Sequence, residues 1–213
     1  MAGVWVVPGG NDDGPFRSGA RDPGIDRRVA RGIRTRSLLM DAVIELIDGG
    51  SPTPTAREVA ERAGVAVRTL YHHFGHLDLL FTGAADRQVS HYCSLVTTLP
   101  PHGPLEVRIT VLARQRRLLF EAIGPVLQAS SARMPATAAL TDVLDRQRTL
   151  LRRQLARTLE PEIASRQPGS PMLLDTLTAV AGWQHWATLR GDSGHSAAQA
   201  EQAVVFTLMR VLG

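Results

Sequence analysis

Residues 55–74 read Thr55-Ala-Arg-Glu-Val-Ala-Glu-Arg-Ala-Gly64-Val-Ala-Val-Arg-Thr-Leu-Tyr71-His-His-Phe74, and their order decides the fold. Thr55 followed by Glu58 has capping-box spacing, which opens a helix by satisfying amides that lack an intrahelical partner. Ala56, Val59, Ala60 and Ala63 form the buried side of that helix, and Gly64 permits a tight turn. Val67 to Phe74 then forms a short helix with Leu70 and Phe74 on one side. A helix, a turn and a short helix with a polar outer side make a helix-turn-helix. A helix fits the major groove, where base edges present distinct donor and acceptor patterns. An exposed second helix bearing Arg68, Thr69, Tyr71, His72 and His73 can therefore read sequence.

Upstream, Leu39, Val43, Leu46 and Ile47 recur at i, i+4, i+7 and i+8, one face of a helix over Thr35 to Ile47. Gly49-Gly50 ends it, and Ser51-Pro52-Thr53-Pro54 cannot continue it. Residues 1–33 hold seven glycines and three prolines with little apolar periodicity, so they are expected to form a mobile, disordered tail, with structure beginning near Arg34. Downstream, a fourth helix is predicted from Leu77 to Thr97, with Leu80, Phe81, Ala84, Ala85, Tyr92 and Val96 inward and Pro100-Pro101 stopping it. Further helices are predicted near 104–121, 124–133, 136–160, 171–190 and 196–212, separated by Gly124, Pro135, Pro161, Pro168-Gly169 and Gly191 to Gly194. No strand-like alternation persists and no fixed repeat occurs, so the fold class is all-α.

Composition narrows the function. With 213 residues and 44% hydrophobic content the chain can bury a core unaided, and the single cysteine, Cys93, cannot form an intrachain disulfide. No apolar stretch is long enough to span a membrane, and Val4-Trp5-Val6-Val7 is too short for a signal-peptide core. A cytoplasmic, nucleoid-associated location with no membrane partner is expected. All 24 basic residues are arginine and the net charge is only +4. GC-rich coding accounts for the missing lysine, so the charge says little about DNA. It does exclude a Walker A loop and Schiff-base chemistry. Nor is there an HExxH, GxGxxG or CxxC motif. Gly191-Asp-Ser-Gly194 superficially matches a protease nucleophile loop, but between two helices it reads as a turn. His72 and His73 are adjacent on a helix and face different directions, which disfavours metal ligation. No catalytic residue, metal or cofactor is expected, and the chain is not expected to be an enzyme.

At Thr55, Val59-Ala60, Ala63-Gly64-Val65 and Thr69-Leu70-Tyr71-His72-His73-Phe74 the chain resembles the tetracycline-repressor (TetR) family. Beyond this motif the resemblance extends only to layout, length and helix count. It implies a helix-turn-helix DNA-binding domain over 34–80 and a larger helical ligand-binding and dimerisation domain over 81–213, with the last two long helices forming a homodimer. It also implies a double-stranded, palindromic operator, a small effector, and repression as the usual mode. By alignment to the motif, Thr55 and Arg57 lie at the DNA backbone or groove edge and Tyr71 and His73 at phosphates. Val67, Arg68, Thr69 and His72 complete the DNA-binding set. Arg68 can pair bidentately with guanine O6 and N7 or only touch phosphate; Tyr71 can contact phosphate or pack against the first helix. Two residues depart from the family pattern. Ala66 cannot cap the recognition helix as a Ser or Thr would, and Leu77 replaces a lysine that contacts phosphate. Both departures favour an alternative: a helical dimer that acts through protein contacts with DNA binding lost. Arg27-Arg28 and Arg31 precede the first helix either as a minor-groove arm or as a solvated tail.

The family layout places a cavity among helices four to eight. Tyr92, Cys93, Arg114, Phe120, Leu127, Met134, His185 and Trp186 are its candidate wall, each with core or surface packing as the plainer role. Such a lining suits a hydrophobic or amphipathic effector. The arginine runs Arg114-Gln-Arg-Arg117 and Arg146 to Arg157 read as solvated faces, with Asp142 and Asp145 spaced to pair with Arg146 and Arg148.

Overall fold

The computed structural model describes residues 23–133, 138–166 and 170–213. Among them ten helices follow in order: α1 (Pro23–Asp48), α2 (Ala56–Arg62), α3 (Val67–Phe74), α4 (Leu77–Ser94), α5 (Leu105–Arg133), α6 (Ala138–Thr158), α7 (Glu160–Ala164), α8 (Ser170–Val180), α9 (Trp183–Arg190) and α10 (Ala197–Leu212). No strand occurs among the described residues.

The first helix begins at Pro23, not near Arg34. Proline is tolerated at a first helical turn, and the alanine and arginines that follow propagate a helix readily from the packed segment beyond them. Arg27, Arg28 and Arg31 therefore lie on α1 and not on a flexible arm, with Val29 and Ile33 exposed among them. The rest of the predicted tail lies outside the described residues. Leu39, Val43 and Ile47 of α1 meet Val59, Leu70, Phe74 and Leu80 in one apolar cluster. Each such side chain taken from water contributes about 1.5–3 kcal/mol. Arg87 of α4 reinforces the α1 contact: it donates to the Ser37 carbonyl (3.3 Å) and hydroxyl (3.1 Å) and pairs with Asp41.

The α5 helix runs unbroken through Gly124-Pro125, where a break was predicted. The clash that bends a chain before proline involves the preceding Cβ, which Gly124 lacks. Ile123, Val126 and Leu127 hold the two sides in the core. A Cβ on Gly124 would also stand 3.0 Å from the Trp183 ring, so this glycine lets α9 approach α5. Conversely, the single helix predicted over 171–190 is two, parted at Ala181-Gly182. In the extended conformation that Gly182 adopts at this break a Cβ would stand 2.9 Å from the Thr178 carbonyl, and glycine weakens a helix interior.

Two arginines on α5 are buried, Arg108 and Arg116, although the run containing the second read as solvated. Arg108 donates to the Thr158 carbonyl (2.6 Å) and forms a bidentate pair with Glu162 of α7, whose carboxyl is held below its usual range chiefly by that hydrogen bond. Of the other charges in these runs, Arg117 pairs with Glu201 (2.6 Å). Arg148 pairs with Asp145 (2.7 Å), while Arg146 reaches across to Asp86 of α4. Removing one member of a buried pair strands the other. Glu162→Ala is expected to destabilise the fold by about 3 kcal/mol in chemical denaturation; a loss below about 1 kcal/mol would mean the Thr158 carbonyl alone suffices for Arg108.

Candidate nucleic-acid interface and effector cavity

The helix-turn-helix is built from local hydrogen bonds. The Glu58 amide donates to Thr55 Oγ1 (3.3 Å), while the Thr55 amide and hydroxyl both donate to Glu58 Oε2 (2.7 Å each). These bonds, the backbone one foremost, hold the Glu58 carboxyl below its usual range. The Thr55 hydroxyl hydrogen is thus engaged within the protein. Gly64 takes φ +67°, a left-handed conformation that L side chains rarely adopt, and the Val65 amide returns to the Ala60 carbonyl (3.0 Å). Ala66 caps α3 with no side-chain bond.

Burial of Leu70 and Phe74 sets the roll of α3. Val67, Arg68, Tyr71 and His72 are then exposed, and Thr69 and His73 half-buried, on one continuous flank. Arg57 is exposed on α2 beside Glu61 (3.1 Å). All eight residues expected at the nucleic-acid surface therefore come from α2, its cap and α3, and none is fully buried. The His72 and His73 rings meet edge to face, 5.4 Å apart. Among the described residues no group of three His, Cys, Asp or Glu side chains could hold a metal ion.

One positioning residue was not anticipated. Arg36 of α1 donates to the His73 carbonyl (2.7 Å) and lays its guanidinium 4.1 Å over the Phe74 ring. It ties down the C-terminal end of α3 by a charge-assisted bond and a cation–π contact. Its position three and four residues before Leu39 and Met40 was the available clue. His73 titrates below its ordinary value, because partial burial, then His72 and Arg36, disfavour its charged form.

Farther along the chain, α5, α6, α8 and α9 line a partly open cavity of about 650 Å³. Leu144, Leu151, Leu155 and Trp183 supply apolar wall, and Arg148 and Arg152 stand in it with their partners Asp145 and Asp175. Of the residues proposed for an effector site, none lines this space. Phe120 and Trp186 pack as core behind it, rings 6.0 Å apart, and Leu127 is buried. Tyr92 and Cys93 are half-buried on α4, the thiol pushed up by burial. Arg114 is exposed, and His185 is half-buried and held below its ordinary pKa by burial. Met134 lies outside the described residues. No signal in the sequence marked this wall, because the arginine run of α6 that borders it reads as a solvated face.

Residues 39–81 match the family model described as bacterial regulatory proteins, tetR family. The chain is 29% identical over 182 residues to the HTH-type transcriptional repressor KstR of Rhodococcus jostii (strain RHA1), covering 81% of this chain and 82% of that protein. Its fold is shared with a tetR-family transcriptional regulator from Streptomyces coelicolor (TM-score 0.64, 20% identity, 84% of this chain and 81% of that one). It is shared also with a transcriptional regulator from Rhodococcus sp. Rha1 (TM-score 0.60, 19% identity, 85% and 95%). Among the described residues no helix is long and apolar enough to cross a membrane. The matched segment spans the end of α1, the whole helix-turn-helix and the start of α4, and over it the chain is similar to the tetR family of bacterial regulatory proteins.

Proposed function

We propose that the chain is a ligand-responsive repressor that binds a palindromic operator as a homodimer in the cytoplasm. The observation carrying this reading is the roll of α3, which buries Leu70 and Phe74 and leaves Arg68, Tyr71 and His72 facing outward. In this reading Arg68 reads a base, Tyr71 and His73 reach phosphates, and Thr55, Arg57, Val67, Thr69 and His72 complete the contact surface. Residues 34–80 serve DNA and residues 81–213 serve ligand binding and dimerisation. The relative named a repressor supports the sign of regulation.

Dimerisation rests on two exposed apolar side chains, Met172 of α8 (77% exposed) and Phe206 of α10 (63%). Residues of that size left in water favour a self-complementary contact, and two copies of α8 and α10 would make a four-helix interface. Two recognition helices about 34–36 Å apart then meet successive major grooves. Ligand in the α5–α9 cavity favours a conformer with another separation; a coupling of about 1–3 kcal/mol changes operator affinity roughly 5- to 150-fold.

Three measurements test the reading. Arg68→Ala, titrated against operator variants, is expected to cost about 1–3 kcal/mol and to relax preference at one base pair; uniform weakening would assign Arg68 to phosphate. Phe206→Arg should weaken self-association by about 2 kcal/mol or more in sedimentation equilibrium, and an unchanged dimer would move the interface elsewhere. The third concerns pH. His73 is held neutral to a lower pH than a free histidine, so DNA phosphate, which favours the cation, gains from acidification below about 6.5. Operator affinity should rise there more steeply in the native chain than in His73→Gln. The same depression means the unfolded chain takes up the proton first, so the His73 contribution to stability is present above about 6.5 and lost as pH falls through the folded value. Equal pH slopes for the two proteins would place His73 away from phosphate.

A further inference from the structure

Among the described residues Arg116 differs from the other buried arginine, Arg108. It is 1% exposed, in the midst of the α5 core face between Leu112 and Phe120. Its Nε donates to the Ala181 carbonyl (3.2 Å), which the α8–α9 break leaves without an intrahelical partner, and its Nη2 donates to the Leu151 carbonyl of α6 (3.1 Å). The remaining nitrogen, Nη1, is buried and has no hydrogen-bond partner. Among the described residues no carboxylate pairs with it, whereas Arg108, two turns earlier on the same helix, has Glu162. A second buried donor, Gln147 Nε2, is likewise without a partner. Both residues line the α5–α9 cavity. The other charges there cancel in pairs, Arg148 with Asp145 and Arg152 with Asp175. Among the described residues the lining thus holds one cation without a carboxylate partner, Arg116, and two residues with a buried donor that lacks a hydrogen-bond partner, beside Leu144, Leu155 and Trp183.

We propose that this cavity binds an amphipathic organic acid, its single carboxylate held by Arg116 Nη1 and Gln147 Nε2 and its apolar body against Leu144, Leu155 and Trp183. This rests on the ligand-responsive reading above and names the chemical class of its ligand. Burial costs an isolated guanidinium heavily, and an anion with two oxygens supplies both the charge and the acceptors that these two donors lack. A monoanion matches the single unpaired cation among the described lining residues. A dianionic phosphate would add a second negative charge to a lining whose other arginines are already paired with Asp145 and Asp175. Burial lowers the Arg116 pKa only to about 10, so the side chain remains cationic at neutral pH. A volume near 650 Å³ takes a drug-sized body.

The test is direct titration of the full chain at pH 7.5 with dodecanoate, dodecan-1-ol and dodecyl phosphate below their micellar concentrations, by calorimetry and tryptophan fluorescence, followed by operator titration. Dodecanoate is expected to bind at least tenfold more tightly than either comparator. Arg116→Met should abolish that margin and leave alcohol binding unchanged. Its ligand-free Tm should be equal or higher, since a buried uncompensated charge is gone. Gln147→Leu, which leaves the Arg116 bonds in place, should cut the margin severalfold. The acid-to-alcohol ratio is read on the unaltered chain, so it decides even if Arg116→Met fails to fold. Acid and alcohol binding equally would overturn the proposal while leaving a ligand cavity in place; tighter binding of the phosphate would assign the site to another anion and overturn it too. Binding of dodecanoate with operator affinity unchanged would keep the acid site and instead reject ligand-responsive regulation.

Discussion

Which flank of α3 meets solvent is decided by the burial of Leu70 and Phe74, and the rest of the interface follows from it. Those two side chains sit four positions apart, so their common direction fixes the helix about its own axis. Phe74 is gripped from three sides. Arg36 lies over its ring, the α1 core lies beneath, and α4 comes close at Gly83, where a Cβ would stand 3.6 Å from the ring. Without a side-chain cap at Ala66, the N-terminal end of α3 depends on the turn at Gly64 and on its neighbours for order. The C-terminal end is the better anchored of the two, because Arg36 holds the His73 carbonyl.

The larger part of the molecule is organised by α5. Its buried face runs from Ile109 through Leu112, Ala113 and Leu119 to Ile123 and Leu127, with one buried arginine, Arg108, at its start and another, Arg116, within it. One is matched by a carboxylate and fastens α7 to the helix pair α5–α6. The other fastens α6 to the junction of α8 and α9 through two carbonyls. A guanidinium can do this because its donors form a rigid planar fork that reaches several acceptors at once; an ammonium in the same place would lose that geometry.

The helix-turn-helix and the exposed flank of α3 were largely legible in the sequence, and the cavity was not. Thr55 and Glu58, Gly64, Leu70 and Phe74 are local signals, each acting over four residues or fewer, and the structure places them as their chemistry requires. Arg36 was missed because its partners lie far along the chain, at residues 73 and 74. The start of α1 was missed because glycine and proline content was averaged over residues 1–33, although Pro23 suits a helix start. In α5 the departure from expectation has one cause in two places. Gly124-Pro125 and Arg116 carry residue types that ordinarily mark loops and surfaces, and only packing against Trp183, Ala181 and Leu151 makes them interior. Spacing held a clue for Arg116, which stands four residues from both Leu112 and Phe120 and thus on the apolar face.

The ion pair between Arg146 and Asp86 gains importance from where its two helices lead. The α6 helix forms one wall of the cavity, and α4 packs against α1 and α3 as well as against α5 and α6. It is a shaft common to both halves of the molecule, joined to α6 near its middle and to α1 through Arg87 and Asp41. The turn of α4 that Asp86 ties to α6 also carries Gly83, which lies against the Phe74 ring, so one short stretch of a single helix meets the cavity wall on one side and α3 on the other.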